Sequence, residues 1–279
     1  MQWDFQSRYG PWALVTGASS GIGKEFAVQL AERGMNLVLV ARRKSLLDAI
    51  AQLLRDTKGI QAKTVDADLS LPEATKRLSD ATKGLEIGLL VSNAGTEMHG
   101  PFLDQDPVLG AGLVQLHAVT PMRLAHYYGG LMRQRGRGGI IFVSSIVGFG
   151  GTPYLATYSA TKAYLLNFGE SLHYELKKHN IDVTVLVPGI TRTALTENAA
   201  QSGVDFSRIP LPWMDVAPVV AAGIDALGKD SSVIPGTINK LVVLVFRRLL
   251  ARKRGVNTFG RMLEKAIPMP RPHGRLPAD

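Results

Sequence analysis

Tyr158 and Lys162 are four residues apart, a spacing that places both side chains on one face of a helix. A phenol with its ordinary pKa of about 10 exchanges protons poorly at neutral pH, and a lysine ammonium beside it favours the phenolate. Ser145 carries a hydroxyl that can hydrogen-bond and position a substrate oxygen. These residue types are suited to moving a proton to or from an oxygen atom. By itself Tyr-x3-Lys is typical of many helix surfaces, and Ser144 is an alternative hydroxyl, so the interpretation depends on the surrounding elements.

The glycine-rich segment 16–23, Thr-Gly-Ala-Ser-Ser-Gly-Ile-Gly, lies between a predicted strand and a predicted helix. Glycines let the backbone approach a pyrophosphate, and free N–H groups at a helix start stabilise its charge. A phosphoryl-transfer loop is disfavoured, because Ala18 replaces its first glycine and Glu25 replaces its hydroxyl residue. The spacing Gly-x3-Gly-x-Gly also differs from the common dinucleotide fingerprint. The segment is a candidate dinucleotide site, with an ordinary glycine-rich turn as the alternative.

Apolar, strand-like runs alternate with helical patterns along the chain. Strands are predicted at 12–16, 36–41, 61–65, 87–92, 139–144 and 182–187, and helices near 22–33, 44–57, 72–83, 107–134 and 155–179. Continuous apolar strands between helices indicate an α/β fold, a doubly wound parallel sheet of the Rossmann type. Ligands of such sheets bind at the carboxyl ends of the strands. The glycine segment and Ser145 both follow predicted strands, as a ligand site at that edge requires.

The composition narrows the class of protein. With 46% hydrophobic and 20% charged residues the sequence is that of an ordinary globular protein. The absence of cysteine excludes disulfides and thiolate chemistry, and no metal site is predicted. It also fits a reducing compartment, and we expect a cytoplasmic protein. No secretory signal is visible at the N-terminus, and no apolar run approaches the roughly 20 residues that span a bilayer.

The net charge of +9 is concentrated at the C-terminal end of the chain. Residues 240–279 contain ten Lys and Arg against Glu264 and Asp279, a net charge of +8, which leaves +1 for residues 1–239. We therefore predict one catalytic domain at 1–235, with a lid at about 194–215, and a basic helical appendage at 236–279. A helix packed on the domain or on a partner is favoured over a membrane-surface helix. Nucleic-acid binding is ranked last, because stacking aromatic residues are nearly absent there.

The glycine spacing and five further motifs resemble the short-chain dehydrogenase/reductase family, in family order over roughly residues 12–195. Ser144 is one residue too far from Tyr158 for the family spacing, which favours Ser145. After the glycine turn, the matching motifs are Asp68-Leu69, Ser92-Asn93-Ala94-Gly95, Ser145, the segment from Tyr158 to Lys162, and Pro188-Gly189 with Thr193.

The resemblance implies a dinucleotide-dependent oxidoreductase. It implies that Tyr158 is the general acid and base, that Lys162 supports it, and that Ser145 positions the substrate oxygen. It also implies association through two long helices into a homodimer or homotetramer. The cofactor contacts implied are Gly17, Ser19, Ser20, Gly21, Ile22, Gly23, Arg42, Arg43, Asp68, Leu69, Asn93, Ala94, Gly95, Tyr158, Lys162, Pro188, Gly189, Ile190 and Thr193.

The end of the second predicted strand indicates which dinucleotide is used. An NAD enzyme usually offers an acid to the ribose 2′-hydroxyl at this position, whereas this chain reads Val-Ala followed by Arg42 and Arg43. Two guanidinium groups can bind a 2′-phosphate, and a charge-assisted contact contributes about 1.5–3 kcal/mol. A solvated helix start is the alternative. The sequence favours NADP(H), with Arg42 as the main contact.

One position departs from the family pattern. The family usually has an asparagine in the middle of the long helix that precedes the fifth strand, where it supports a water chain from the lysine to solvent. His117 takes that place here. An ordinary imidazole titrates near pH 6.5, so His117 is a candidate proton relay, and a buried packing residue is the alternative.

The predicted substrate is a small-molecule carbonyl or alcohol that is hydrophobic: a ketone, an aldehyde, a steroid-like or a fatty compound. The predicted pocket is mostly apolar, with no Arg or Lys placed to receive a carboxylate. A protein that senses NADP(H) without turnover is the alternative function. The predicted pocket residues are Thr96, Met98, Ile146, Val147, Phe149, Tyr154, Trp213 and Met214.

Overall fold

A computed structural model describes residues 5–249 and 251–268 of the 279-residue chain. The strands are β1 (Trp12–Thr16), β2 (Asn36–Ala41), β3 (Ala62–Asp66), β4 (Ile87–Ser92), β5 (Gly138–Val143), β6 (Ile181–Leu186) and β7 (Ser232–Val233). The helices are α1 (Phe5–Tyr9), α2 (Gly21–Glu32), α3 (Lys44–Lys58), α4 (Ala74–Ala81), α5 (Pro107–Val114), α6 (Thr120–Arg135), α7 (Ala156–Lys177), α8 (Ala194–Gln201), α9 (Val216–Ala226), α10 (Thr237–Leu244) and α11 (Arg252–Ala266). Helical turns of other pitch occur at Phe102–Asp104, Gln115–Val119, Ile146–Phe149, Phe206–Arg208 and Val245–Leu249.

The seven strands form one parallel sheet in the order β3-β2-β1-β4-β5-β6-β7. The order reverses direction at β1, because the chain builds one half outward from β1 to β3 and then returns to continue from β4. This is the doubly wound, Rossmann-type sheet that the alternating pattern predicts. The switch point lies between β1 and β4, where both strand ends carry predicted site residues.

Alternating side chains of the strands fill two buried cores, one on each face of the sheet. Val15 of β1 packs in one core with Phe26 of α2 and Val220 of α9. The next residue toward the N-terminus, Leu14, packs in the other core with Tyr128 of α6. Every residue of β4 and β5 is buried, as expected for central strands covered on both faces. The sheet is therefore a rigid support for the loops at its carboxyl edge.

The long helix predicted at 107–134 is divided by a π-helical turn at Gln115–Val119, between α5 and α6. Such turns leave the regular hydrogen-bond pattern and occur frequently at functional sites. Hydrophobic periodicity did not indicate this irregularity, because one extra residue in a turn barely alters the apolar pattern. His117 lies in the middle of the π-helical turn.

The C-terminal segment contains α10 and α11. Leu263, Ala266 and Ile267 are buried against the chain, and Leu263 and Ile267 pack with Ala199 of α8 and Val204. None of the helices within the described ranges has the length and apolar character needed to cross a membrane. Residues 269–279, which complete the predicted appendage, lie outside the described residues.

Candidate active site

The carboxyl ends of the strands open into a cavity of about 1140 Å³. Its wall brings together residues that are far apart in the sequence. Those predicted from the sequence are Gly17, Ser19, Ser20, Gly21, Ile22, Arg42, Arg43, Asp68, Leu69, Asn93, Ala94, Gly95, Ser145, Tyr158, Lys162, Pro188, Gly189, Ile190 and Thr193. Gly23 lies beneath the wall, and His117 is fully buried behind it.

The glycine turn is tightly packed against its surroundings. Gly17 has a φ of +69°, and a Cβ on it would lie 2.8 Å from the Ala94 Cα. A Cβ on Gly23 would lie 2.2 Å from the carbonyl oxygen of Gly17. Both positions therefore require glycine, for conformation or for space. The turn presents its backbone to the cavity at the N-terminus of α2, where N–H groups favour a negatively charged ligand.

Thr16 fixes the glycine turn to the segment after β4. Its hydroxyl accepts hydrogen bonds from the backbone N–H groups of Asn93 (2.9 Å) and Ala94 (3.0 Å) and donates to the Val91 carbonyl (3.2 Å). The Asn93 side chain returns a hydrogen bond to the Thr16 carbonyl at 2.9 Å. Two loops that line the cavity are thus held at a fixed separation across the switch point.

Arg42 and Arg43 follow β2, and both are exposed at one end of the cavity. An Nη2 of Arg43 donates to the hydroxyls of Ser19 and Ser20, at 3.0 Å each. Burial by itself would raise the pKa of Asp68, but hydrogen bonds from Ser70 and the nearby charge of Arg42 outweigh it and lower that pKa. Two cations therefore stand beside the glycine turn, and one of them is held by its hydroxyls.

Ser145, Tyr158 and Lys162 meet in the cavity wall. Ser145 accepts a long hydrogen bond, 3.5 Å, from the Val147 N–H at the start of the turn Ile146–Phe149, and the Ser145 hydroxyl acts on the Tyr158 phenol to lower its pKa. The ammonium of Lys162 donates to the Val143 carbonyl at 3.0 Å and lies 5.6 Å from the centroid of the Tyr158 ring.

The alternative serine has a different role. Ser144 is buried, and its hydroxyl donates to the Lys162 carbonyl at 2.7 Å. It therefore anchors the backbone of α7, while Ser145 is the serine whose hydroxyl lowers the pKa of the Tyr158 phenol.

The pKa of Tyr158 is raised, whereas its spacing to Lys162 predicts a lower value. Burial raises the pKa of Tyr158, the Glu97 carboxylate raises it further, and the hydrogen bond from Ser145 lowers it only in part. Burial also lowers the pKa of Lys162 to about 8. Burial, which removes water from the phenolate, is the largest influence on the pKa of Tyr158, and the effect predicted for Lys162 stays a prediction. The raised pKa favours the protonated phenol at neutral pH.

His117 has both ring nitrogens occupied by protein groups. Its Nε2 accepts the Thr96 N–H at 3.2 Å, so the neutral ring carries its proton on Nδ1 and donates to the Thr161 hydroxyl at 3.0 Å. That hydroxyl donates in turn to the Tyr158 carbonyl at 2.8 Å. Burial, with the Lys162 charge, holds the pKa of His117 well below its usual value. The ring also contacts the Tyr158 ring edge-on, at 5.7 Å between centroids. This geometry holds the backbone and ring of Tyr158 in place, and burial favours the neutral imidazole.

Four of the eight predicted pocket residues, Thr96, Met98, Ile146 and Val147, line the cavity. The other four lie outside its wall. Phe149 is covered by Arg247, Tyr154 packs with the buried cluster around Leu263, Trp213 packs on Phe206, and Met214 pairs with Thr191 and packs into the core. Proximity in sequence to site residues was a poor guide for these four, because each packs against other parts of the protein instead.

Other residues take their places in the wall. Phe206, Ile209 and Leu211 come from the segment 194–215, and Phe259, Met262 and Leu263 come from α11. Because no short-range sequence pattern links α11 to the site, its contribution to the cavity wall was not predicted. Glu97 was also missed, although its position five residues after β4, at the carboxyl edge, was a usable signal.

A doubly wound parallel sheet whose first strand ends in a glycine turn defines a dinucleotide-binding protein. Comparison with known proteins agrees. The short chain dehydrogenase family model matches residues 11–203. The chain is 33% identical over 238 residues to a 7beta-hydroxysteroid dehydrogenase of Mediterraneibacter gnavus, covering 85% of this chain and 90% of that protein. It is 39% identical over 194 residues to a very-long-chain 3-oxoacyl-CoA reductase of Neurospora crassa, covering 67% of this chain and 58% of that protein.

A solved structure is similar over almost the whole chain. The short-chain dehydrogenase from Sphingobium yanoikuyae in complex with NADPH has a TM-score of 0.74 and 32% identity, covering 88% of this chain and 99% of that one. The chain belongs to the short-chain dehydrogenase family and is an oxidoreductase, which confirms the resemblance read from the motifs.

Proposed function

We propose that this chain is an NADP(H)-dependent oxidoreductase that interconverts a hydrophobic ketone or aldehyde and the matching alcohol. The observation that carries the proposal is that Ser145, Tyr158 and Lys162 share one cavity with the glycine turn. The test is to incubate the purified protein with NADPH or NADH and a panel of ketones and aldehydes of graded size. Faster turnover with NADPH and with bulky apolar carbonyls is the expected result.

The residues in the cavity fit an NADP(H) molecule. Gly17 and Gly23 leave space that any Cβ would fill, and a negatively charged pyrophosphate is suited to the N-terminus of α2. Arg42 and Arg43 would hold a 2′-phosphate, since no acid follows β2 to repel it. Asp68 and Leu69 would border the adenine, while Asn93 to Gly95 and Pro188 to Thr193 would hold the nicotinamide half. When bound, the nicotinamide supplies or accepts the hydride.

The side chains of the site supply the proton and the orientation. In reduction, the Ser145 hydroxyl positions the substrate oxygen and the Tyr158 phenol donates a proton to it; in oxidation the phenolate accepts that proton. The Lys162 ammonium stabilises the phenolate left after donation. Thr161 and His117 hold the Tyr158 backbone and ring in place. A well-placed acid of this kind contributes about 10²–10⁴-fold to the rate.

A hydrophobic substrate is favoured by the cavity wall and by the relatives. Apolar side chains contribute much of the wall, among them Met98, Ile146, Val147, Phe206 and Phe259. Both curated relatives described above are named for bulky substrates, a steroid and a very-long-chain acyl compound. We expect the physiological substrate to share that bulk and low polarity.

The second candidate is an NADP(H) sensor without turnover, which the replacement of the usual asparagine by His117 favours. The complete set of Ser145, Tyr158 and Lys162 supports the enzyme instead. A homodimer or homotetramer, a cytoplasmic location and a catalytic domain at 1–235 complete the proposal. In it, the 194–215 lid covers the substrate, and the segment 236–279 is a basic helical appendage whose helix α11 packs on the lid.

His117→Asn is expected to retain turnover within about tenfold, roughly 1.4 kcal/mol in the barrier. Because burial keeps His117 neutral near pH 7, its ionisation does not contribute to the rate there. The pH–rate profiles of wild type and variant should therefore have the same shape between about pH 6 and 8. A neutral-pH inflection that only the wild type shows would instead assign proton relay to His117.

Gly23→Ala is expected to weaken NADPH binding by at least about tenfold, because the added Cβ would lie 2.2 Å from a backbone oxygen of the turn. The matched control is Gly130→Ala in α6, where a Cβ meets no atom within 4 Å. That change should leave binding unaltered and stabilise the helix by up to about 1 kcal/mol. Equal NADPH affinity in both variants, measured by calorimetry, would show that the turn does not hold the cofactor.

A further inference from the structure

At the Tyr158 end, the cavity wall contains the acidic side chain of Glu97. The preceding residue, Thr96, donates its backbone N–H to His117, and the His117 ring contacts the Tyr158 ring, so Glu97 lies on a segment beside Tyr158. The charge of its carboxylate raises the pKa of the phenol. The side chain is 22% exposed, and the neighbouring wall residues Met98, Ile146 and Val147 are apolar. Placing a charge in such surroundings is costly unless a polar partner offsets the loss of water. The proton transfer proposed above for Tyr158 does not use the Glu97 carboxylate.

One protein contact orients the Glu97 carboxylate but leaves most of its hydrogen-bonding capacity unused. Its Oε1 lies 3.4 Å from Nδ1 of His99, a separation at the long limit of a hydrogen bond, and Nδ1 makes no well-aligned hydrogen bond. The other ring nitrogen of His99 lies 3.4 Å from the Ser202 hydroxyl at the end of α8. A carboxylate has about four acceptor sites. Most of the acceptor capacity of Glu97 is thus available to a molecule in the cavity.

We propose that Glu97 binds a hydroxyl group that the substrate carries close to its reacting carbonyl, so that the substrate class is a bulky hydroxyketone or the corresponding diol. This inference rests on the proposed function. A carboxylate can only accept hydrogen bonds, so the recognised group must be a donor. A substrate carboxylate would be repelled by Glu97. A neutral hydroxyl donates to the carboxylate without bringing a second charge into a largely apolar wall, so it is the donor best suited to this place.

Benzoin and deoxybenzoin are a suitable pair of probes, because they are bulky apolar ketones that differ only by a hydroxyl next to the carbonyl. The kcat/KM of the wild type is expected to be about ten- to a hundredfold higher for benzoin, the range of a hydrogen bond to a charged group. Glu97→Met should reduce that ratio to near one, and Glu97→Gln, which keeps one carbonyl acceptor, should give an intermediate ratio. Glu73→Gln, an exposed residue that precedes α4, is the control for charge loss and should keep the ratio.

The ratio of kcat/KM for benzoin to kcat/KM for deoxybenzoin separates recognition of the hydroxyl from a general effect on the reaction rate. Removing the Glu97 charge also changes the pKa of Tyr158, but that change acts on both ketones alike and cancels in the ratio. A wild type without preference for benzoin, or Glu97 variants that slow both ketones by the same factor, would overturn the proposal. So would a wild type that reduces other carbonyls but neither probe. Absence of turnover with the whole carbonyl panel would overturn the proposed function and this inference together.

Discussion

Tyr158→Phe is expected to lower kcat by at least about a thousandfold while NADPH still binds with a Kd within a few-fold of wild type. The phenyl ring fills the same space beside His117 and Lys162, so the fold and the other cofactor contacts remain. It has no hydroxyl to hydrogen-bond with Ser145 or to give a proton to the substrate oxygen. The measurement is NADPH consumption with the best carbonyl of the panel, together with calorimetric titration of NADPH.

Tyr174→Phe is the matched control, because Tyr174 lies on the same helix, α7, and is 85% exposed. It should keep wild-type kcat. If Tyr158→Phe retained more than about a tenth of the wild-type rate, another group would have to be the proton donor. If the wild type bound NADPH but turned over no carbonyl of a broad panel, the sensor function would replace the reductase.

Arg42→Asp is expected to weaken NADPH binding by about ten- to a hundredfold or more, and to leave NADH binding unchanged or improved. The change removes a cation that can bind the 2′-phosphate and adds an acid that repels it but can accept from a 2′-hydroxyl. Arg43 is already hydrogen-bonded to Ser19 and Ser20, so Arg43→Gln should also weaken NADPH binding and disturb the turn. Titration of both cofactors into each variant measures the preference.

Lys229→Asp makes the same change of charge at an exposed turn before β7, at the opposite edge of the sheet from the cavity, and should not alter the preference. A wild type that binds NADH at least as tightly as NADPH would show that the two arginines do not select the phosphate. An Arg42→Asp effect no larger than that of the Lys229 variant would assign the selection to Arg43 or to the backbone.

The sheet could be predicted from the sequence because each strand is specified by a short, local sequence pattern. Each central strand is a short apolar run, and burial on both faces requires exactly that kind of run. Val38 to Val40 and Leu89 to Val91 are examples in which the pattern and the observed strand agree. The motifs that follow these strands could be placed at one edge for the same reason, since parallel strands end together.

The substrate side of the site could not be predicted in the same way. Phe259 and Met262 reach the cavity only because α11 returns across the molecule, and neither has a motif that marks it. The roles of His117 and Glu97 depend on burial and on partners distant in sequence. The pKa of Tyr158 is the clearest example: the spacing to Lys162 indicates a lower value, whereas burial of the ring raises it.

The position of α11 in the cavity wall has a consequence for biosynthesis. The glycine turn, the arginines and the residues from Ser145 to Lys162 all emerge from the ribosome before residues 252–266. A domain generally folds as a unit, so the wall that Phe259 and Met262 complete closes only after α11 has been synthesised. A polypeptide that ends before residue 252 would lack that part of the cavity wall.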